Sequence, residues 1–424
     1  MRGRDEGTAR RAECHGGGDT RPAGLPPAAV DADVPSAVGR VLGVLLDEQV
    51  GRAGGIDATF ARDVAGRVRS FTLEGGKRTR SQFLWWGLRA CGKGPGTPAV
   101  GTVLRVAAAV ELLQTCALVH DDAMDRSPVR RGRPSVHVEF AERFTAPGRE
   151  ARAARFGAAA AVLTGDLALA WADDTLAGVG LDGRTGARVR EIWQAMRGEM
   201  VAGQYLDLYG QISGSRSAAL ATRISYLKSA RYSVERPLAL GAALAGAEEA
   251  TARALCAAGR CAGVAFQFQD DLLGVFGDPE RTGKPAGDDI REGKLTTLLT
   301  VARARAARRH DRAALAVLDR CVGDRGLDDA GLERVRAVFV ATGARDEVAA
   351  RIRRLVTRSF RHLASAPLDA FAATRLRRLI AAVAGVDEDP DGPAPADGAD
   401  GADGADGGSD CPDPAACARG GRDR

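Results

Sequence analysis

Ala, Leu, Val and Arg recur at helical spacing through the whole middle of the chain, and no feature constrains the fold more. Strand-like alternation is scarce. Apolar residues make up 45% of the chain but aromatic residues only 5%, so the helices can approach closely on small side chains. The spacing predicts helices over 36–50, 57–72, 78–91, 98–125, 151–177, 184–212, 217–246, 248–276, 294–307, 311–322, 328–342, 345–364 and 367–384. Breaks fall at Gly and Pro clusters such as CGKGPGTP (91–98) and TAPG (145–148), where the backbone is steered into turns. The expectation is an all-α fold: a single large bundle of roughly ten or more helices around a central cavity.

The ends are unlike the middle. Residues 1–30 are rich in Gly, Arg and Pro, and residues 386–424 hold hardly any large apolar side chain. Such stretches cannot bury enough surface to offset chain entropy. We therefore expect a disordered extension over 1–30, one helical domain over 31–385 and a disordered Asp/Gly/Ala-rich tail over 386–424. The net charge of +5 is small, and the arginines are scattered, which argues against a nucleic-acid partner and leaves a phosphorylated small substrate open. The eight cysteines show neither metal-ligand spacing nor a disulfide framework, and no secretory segment is visible. The cytoplasm is the expected compartment. With no uninterrupted apolar run of 18 residues, no transmembrane segment is expected.

Chemistry concentrates in three places. In the segment 101–137, an apolar helix runs into VHDDAMD, so Asp121 and Asp125 stand one turn apart on one face with Asp122 alongside. Their mutual repulsion, at a helix end whose dipole is also negative, calls for a cation. A hard divalent ion, magnesium first, suits carboxylate and phosphate oxygens. Taken alone, such a pair is more often a solvated helix end. A second apolar helix, however, runs into Asp270 and Asp271, with Gln267 one turn before Asp271. Two helices, apolar below and acidic above, can face each other over a cavity with metal ions at its mouth, which is a diphosphate site by chemistry. The third place is cationic. GGKRTR (75–80) brings Lys77, Arg78 and Arg80 to a turn into a helix, Arg130 and Arg131 follow the first acidic cluster, and GKPAGDDIREGK supplies Lys284 and Lys294. One diphosphate would use the metals and a second this basic cradle.

These motifs, in the order GGKRTR, VHDDAMD with RRGRPSVH, YLKSARYS, FQFQDD and TGKPAGDDIREGK, resemble the isoprenyl diphosphate synthase (polyprenyl synthetase) family over about residues 36–385. The resemblance implies a magnesium-dependent trans-prenyltransferase that condenses isopentenyl diphosphate with an allylic diphosphate, acting as a homodimer. It assigns the catalytic set to Asp121, Asp122, Asp125, Asp270, Asp271 and Lys228, with Asp121, Asp122, Asp125 and Asp270 as metal ligands. The isopentenyl diphosphate pocket falls on Lys77, Arg80, Arg131 and Gln114, the last standing where the family often has His. The allylic diphosphate contacts fall on Arg130, Lys228, Ser229, Gln267, Lys284 and Lys294. One departure stands out: the second motif reads DDLLG, with Gly274 where the family frequently has a last aspartate, and Asp278 is the nearby carboxylate in sequence.

Product length should follow from the depth of the cavity under the first aspartates, with each helical turn about 5.4 Å deeper. Cys116 and Ala117 form the first level and Leu113 the next. The family closes the first level with Phe or Tyr to stop at farnesyl diphosphate. Here that level is open, which favours geranylgeranyl diphosphate, with farnesyl or longer products as alternatives. A class I terpene cyclase would share the first acidic motif but lack the GGKRTR cradle, and a non-catalytic synthase subunit would lose the aspartates. Bland readings cover the remaining residues: Cys116 as a packed thiol with a steric role only, Trp85 and Trp86 as core anchors, and Tyr205 and Tyr209 as helix packing.

Overall fold

The computed structural model describes residues 26–92, 97–181, 183–278 and 286–386. Lys284, Asp182 and nearly all of the two expected tails lie outside these residues. The described chain is a helical bundle with one two-stranded hairpin, in which Val129–Arg130 (β1) pairs antiparallel with Arg133–Pro134 (β2).

The first half runs through α1 (Pro27–Ala32), α2 (Val34–Gly54), α3 (Ala58–Phe60), a π-helical turn at Ala61–Ala65, α4 (Gly66–Leu73), α5 (Thr79–Ala90) and α6 (Val100–Asp125). After the hairpin come α7 (Val136–Glu142), α8 (Glu150–Ala177), α9 (Gly183–Ile212), α10 (Ala218–Ile224), a π-helical segment at Ser225–Glu235, α11 (Arg236–Leu244) and α12 (Glu249–Phe276). The chain closes with α13 (Asp288–Glu292), α14 (Thr297–Arg308), α15 (Arg312–Cys321), α16 (Asp329–Ala341), α17 (Ala344–Ala364) and α18 (Ala370–Ala384).

α6 is apolar all round and is buried accordingly, between α8, α2 and α5. Fully burying each of its Val and Leu side chains contributes roughly 1.5–3 kcal/mol. By length and composition α6 and α8 could each cross a membrane, yet 72% of the apolar window of α6 is packed inside the bundle against 39% for α8. α12 lies against α17 and the π-helical segment, and α11 lies against α5. One core cluster runs from Val30 to Ala384.

Three local features depart from the sequence expectation. α1 begins inside the stretch read as an extension, because Val30 is buried and Asp31 accepts a hydrogen bond from the Trp85 indole at 2.8 Å and pairs with Arg89. α7 was not foreseen: with seven residues it offers only the Val136–Phe140 pair to a periodicity argument. The single helix expected over 217–246 is interrupted by eleven residues of π-helix, wider than α and common where function displaces packing. Trp85 and Trp86 are core residues as read, whereas Tyr205 and Tyr209 stack on each other in solvent, 66% and 49% exposed.

Candidate active site

The acidic ends of α6 and α12 act on one shared guanidinium, that of Arg130. α6 ends at Asp125, with Arg126 left-handed (φ 58°) beyond it. The hairpin then folds Arg130 back over the helix end, where its Nε lies 2.9 and 3.0 Å from the two oxygens of Asp122 and its Nη2 3.4 Å from Asp121. Asp270 on α12 adds to the field that keeps this guanidinium charged despite its burial.

Two ammonium groups bridge the rest. Lys228 Nζ lies 2.9 Å from Asp121 Oδ1 and 2.7 Å from Asp207 Oδ2 on α9. Lys294 Nζ lies 2.8 Å from Asp125 Oδ2, 2.9 Å from Glu292 Oε2 and 3.5 Å from Asp289 Oδ1. Burial would push the Asp121 carboxyl up, but Lys228, Lys294 and Arg130 overcome it and hold it well below the usual carboxylate range. Asp125, only 4% exposed, goes the other way: burial raises it, Lys294 offsets this only partly, and the Asp121 charge adds to it. Lys228 and Lys294 are both held charged, burial being outweighed by Asp121 and Asp207 for the first and by Asp289, Asp125 and Asp121 for the second.

The π-helical segment positions Lys228, and two glycines make room for it. A Cβ on Gly203 of α9 would lie 2.6 Å from the Lys228 backbone nitrogen, and one on Gly263 of α12 would run into the Ala230 backbone. Ser229, one residue on, donates its hydroxyl to Gln267 Oε1, and Gln267 Nε2 donates to Asp271 Oδ1 at 2.7 Å. Asp271 also accepts from the Thr297 backbone N–H at 3.2 Å. Burial pushes its carboxyl up to about 8. Asp271 and Asp122 are thus buried and engaged within the protein, whereas Asp270 is the exposed member of its pair.

The cationic cradle assembles beside α5. Arg131 donates to the carbonyl oxygens of Phe71 and Glu74 at 3.2 and 2.9 Å and lies over the Phe71 ring, against the Gly75–Gly76 turn. Burial, with Arg78 and Arg130 nearby, lowers its pKa. Lys77 is exposed at the same turn. Arg80 lies over the Tyr232 ring, 4.7 Å from its centroid, and donates to Ser233 Oγ at 2.7 Å, while the Tyr232 hydroxyl donates to Gln114 Oε1 at 2.9 Å. Arg78 does not join the cradle: it is turned inward onto Glu111 and the Thr72 carbonyl. Below Asp121, Leu113 and Cys116 are buried and Ala117 is half-buried. The Cys116 sulfur lies 3.7 Å from His120 Nδ1, and His120 Nε2 lies 3.0 Å from the Val162 carbonyl.

Sequence reasoning missed Asp207, Asp289, Glu292 and Tyr232. Asp207 had a signal: it shares a helix face with Gly203 and Gly210, opposite the exposed tyrosines, and a carboxylate on a closely packed face needs a partner. Asp289 and Glu292 lie in TGKPAGDDIREGK, the motif whose lysines carry the phosphate argument.

The donor chemistry fits a divalent cation. Neither oxygen of the buried Asp125 accepts a well-directed hydrogen bond, although Lys294 is close. Among the described residues no three acidic, His or Cys side chains converge as a ready-made metal site.

The polyprenyl synthetase profile matches residues 64–333. A geranylfarnesyl diphosphate synthase from Aeropyrum pernix is 31% identical over 288 residues, spanning 67% of this chain and 82% of that protein. A (2E,6E)-farnesyl diphosphate synthase from Mycobacterium bovis is 33% identical over 282 residues, spanning 66% and 72%. The solved geranylgeranyl pyrophosphate synthase of Corynebacterium glutamicum, complexed with isoprenyl diphosphate and magnesium, superposes with a TM-score of 0.78 at 38% identity, spanning 82% of this chain and 98% of that one. The chain belongs to the polyprenyl synthetase family and is a trans-prenyltransferase.

Proposed function

We propose that this enzyme joins isopentenyl diphosphate to an allylic diphosphate in a magnesium-dependent reaction and releases geranylgeranyl diphosphate. The observation that carries the reading is the gathering of Lys228, Lys294 and Arg130 on the carboxylates that end α6, with Asp270 of α12 near enough to act on Arg130 and Asp125 buried against Lys294. Asp121, Asp125 and Asp270 would hold the metal, and Asp122 and Asp271 support them by fixing Arg130 and Gln267. Magnesium held there supplies electrostatic neutralisation of the diphosphate leaving group.

The chain's own part is orientation, charge and dryness. Lys228 and Lys294 leave their carboxylates for the allylic diphosphate, while Lys77, Arg80 and Arg131 hold the isopentenyl diphosphate. The allylic C–O bond breaks to give a delocalised cation, and the isopentenyl double bond attacks it to form the new C–C bond. A proton then passes to the departing diphosphate, no side chain standing out as a dedicated base. Cys116, Ala117 and Leu113 line the path of the growing chain. The small first level favours a geranylgeranyl product, and the Corynebacterium relative's name agrees with this.

We extend the reading to a cytoplasmic homodimer. Free thiols at Cys91, Cys116, Cys256 and Cys321 suit a reducing compartment. On α8, Val162 and Leu163 are 46% and 61% exposed, a face suited to a second copy. The test of the activity is incubation with radiolabelled isopentenyl diphosphate and each allylic diphosphate in turn, with and without magnesium, and chromatography of the dephosphorylated products. Label remaining in isopentenyl diphosphate under every condition would remove the reading.

A further inference from the structure

Residue 274 lies one helical turn beyond Asp270, on the same face of α12. A carboxylate here would stand above Asp270, but the chain has glycine. The space is not left open. A Cβ built on Gly274 would lie 2.8 Å from Asp289 Oδ2 and 3.6 Å from its Cγ, so a carboxylate from another segment already reaches the root of the missing side chain. Asp278, the candidate by sequence, is not among the neighbours of that position.

The backbone holds Asp289 there. The Gly287 N–H donates to the Gly274 carbonyl at 2.7 Å, docking the start of α13 onto α12, and the Lys294 N–H donates to the Asp289 carbonyl at 2.9 Å. On the far side, Lys294 Nζ links Asp289 Oδ1 at 3.5 Å with Asp125 Oδ2 at 2.8 Å. Asp125 is more than nine-tenths buried, and apart from the Lys294 ion pair neither of its oxygens accepts a well-directed hydrogen bond. Asp289 is only 24% exposed, shares Lys294 with Asp125 of the first cluster and lies against Gly274 one turn beyond Asp270 of the second.

We infer that Asp289 is the working third carboxylate of the second acidic cluster, supplied from α13 in place of a side chain at residue 274, and that it shares the divalent cation and its diphosphate with Asp270. This rests on the metal–diphosphate reading of the site. A local substitution is thereby compensated through space, because the glycine that removes one carboxylate makes room for another.

The experiment titrates Mn2+ in the presence of inorganic pyrophosphate, following free Mn2+ by electron paramagnetic resonance. It compares wild type, Asp121→Ala, Asp289→Asn, Asp289→Ala and the double variant Gly274→Asp/Asp289→Ala, each first shown to be folded by circular dichroism. Asp289→Asn is isosteric and should weaken Mn2+ binding by about tenfold or more, the scale of a lost ligand-supporting group. The double variant, with space now free at residue 274, should bind Mn2+ more tightly than Asp289→Ala. Wild-type affinity in Asp289→Asn, or no recovery in the double variant, would overturn the inference, the latter by reducing Asp289 to a prop for Lys294. Equal Mn2+ binding by wild type and Asp121→Ala would overturn the metal–diphosphate reading itself, and this inference with it.

Discussion

Arg80 lies over the ring of Tyr232, its Cζ 4.7 Å from the centroid, and so rests on the same residue that ties down Gln114. Arg78, two residues earlier, faces the opposite way into a buried pair with Glu111, each side chain 7% exposed. The two arginines of one motif therefore do different work. Arg80→Ala should raise KM for isopentenyl diphosphate roughly 10- to 100-fold, the worth of one or two charge-assisted hydrogen bonds, with little change in KM for the allylic substrate or in melting temperature. Arg78→Ala should do the reverse, costing about 3–5 kcal/mol of stability by leaving Glu111 buried with hydrogen bonds from Ser81 but no counter-charge. Steady-state kinetics and chemical denaturation separate the two, and equal effects from both variants would contradict the assignment.

Asp121 is held ionised by Lys228, Lys294 and Arg130. Its removal frees Lys228 from one of two partners and takes away a proposed metal donor. We expect Asp121→Ala to lower kcat/KM on the order of 10³-fold, several kcal/mol of lost charge neutralisation, with far-ultraviolet circular dichroism unchanged. Wild-type turnover with magnesium would end the role given to this carboxylate.

Because two ammonium groups already sit among the carboxylates, magnesium alone competes with them and should stabilise the fold little. Magnesium together with pyrophosphate gives the ammonium groups a new partner. The pair, at about a hundred times its dissociation constant, should add roughly 2.7 kcal/mol. Differential scanning calorimetry with each component singly and combined checks this. Full stabilisation by magnesium alone would mean a preformed metal site.

Cys116 sits one turn below His120 with its side chain buried. Cys116→Phe should shorten the main product to farnesyl diphosphate or below, read by chromatography after dephosphorylation. An unchanged product distribution would take away the steric argument.

Burial also pushes the Cys116 thiol up to about 12. The sign follows directly. Its neutral form is favoured by folding, so the associated stability is whole below the ordinary thiol range and is lost as pH rises through about 12. At pH 8 its thiolate fraction is on the order of 10³-fold below that of a free cysteine. Iodoacetamide should therefore leave Cys116 unmodified in the native protein and label it after denaturation, as peptide mass spectrometry would report. Rapid native labelling would contradict the packing.

Much of the site was legible because its chemistry is local in sequence. Asp121 and Asp125 are one helical turn apart, and Gln267 and Asp271 likewise, so spacing alone puts each pair on one face. The parts that escaped depend on contacts between distant segments. Asp207 meets Lys228 across 21 residues, and Tyr232 meets Gln114 across 118. The inward turn of Arg78 was hidden because its partner, Glu111, sits mid-helix among apolar residues. The hairpin that carries Arg130 spans too few residues to produce a periodic pattern. The π-helical segment was invisible for a related reason: its widening depends on the narrowness of its neighbours, not on its own residues.

That widening has an evolutionary reading. The ammonium that joins Asp121 to Asp207 is held at its height by the absence of two methyl groups, at Gly203 and Gly263. A single added carbon would press on the Lys228 backbone from Gly203 or on the Ala230 backbone, two residues along, from Gly263, without touching any charged atom. Drift in this enzyme is therefore fenced in at sites that look inert, and a library that varied only its polar residues would never find the fence.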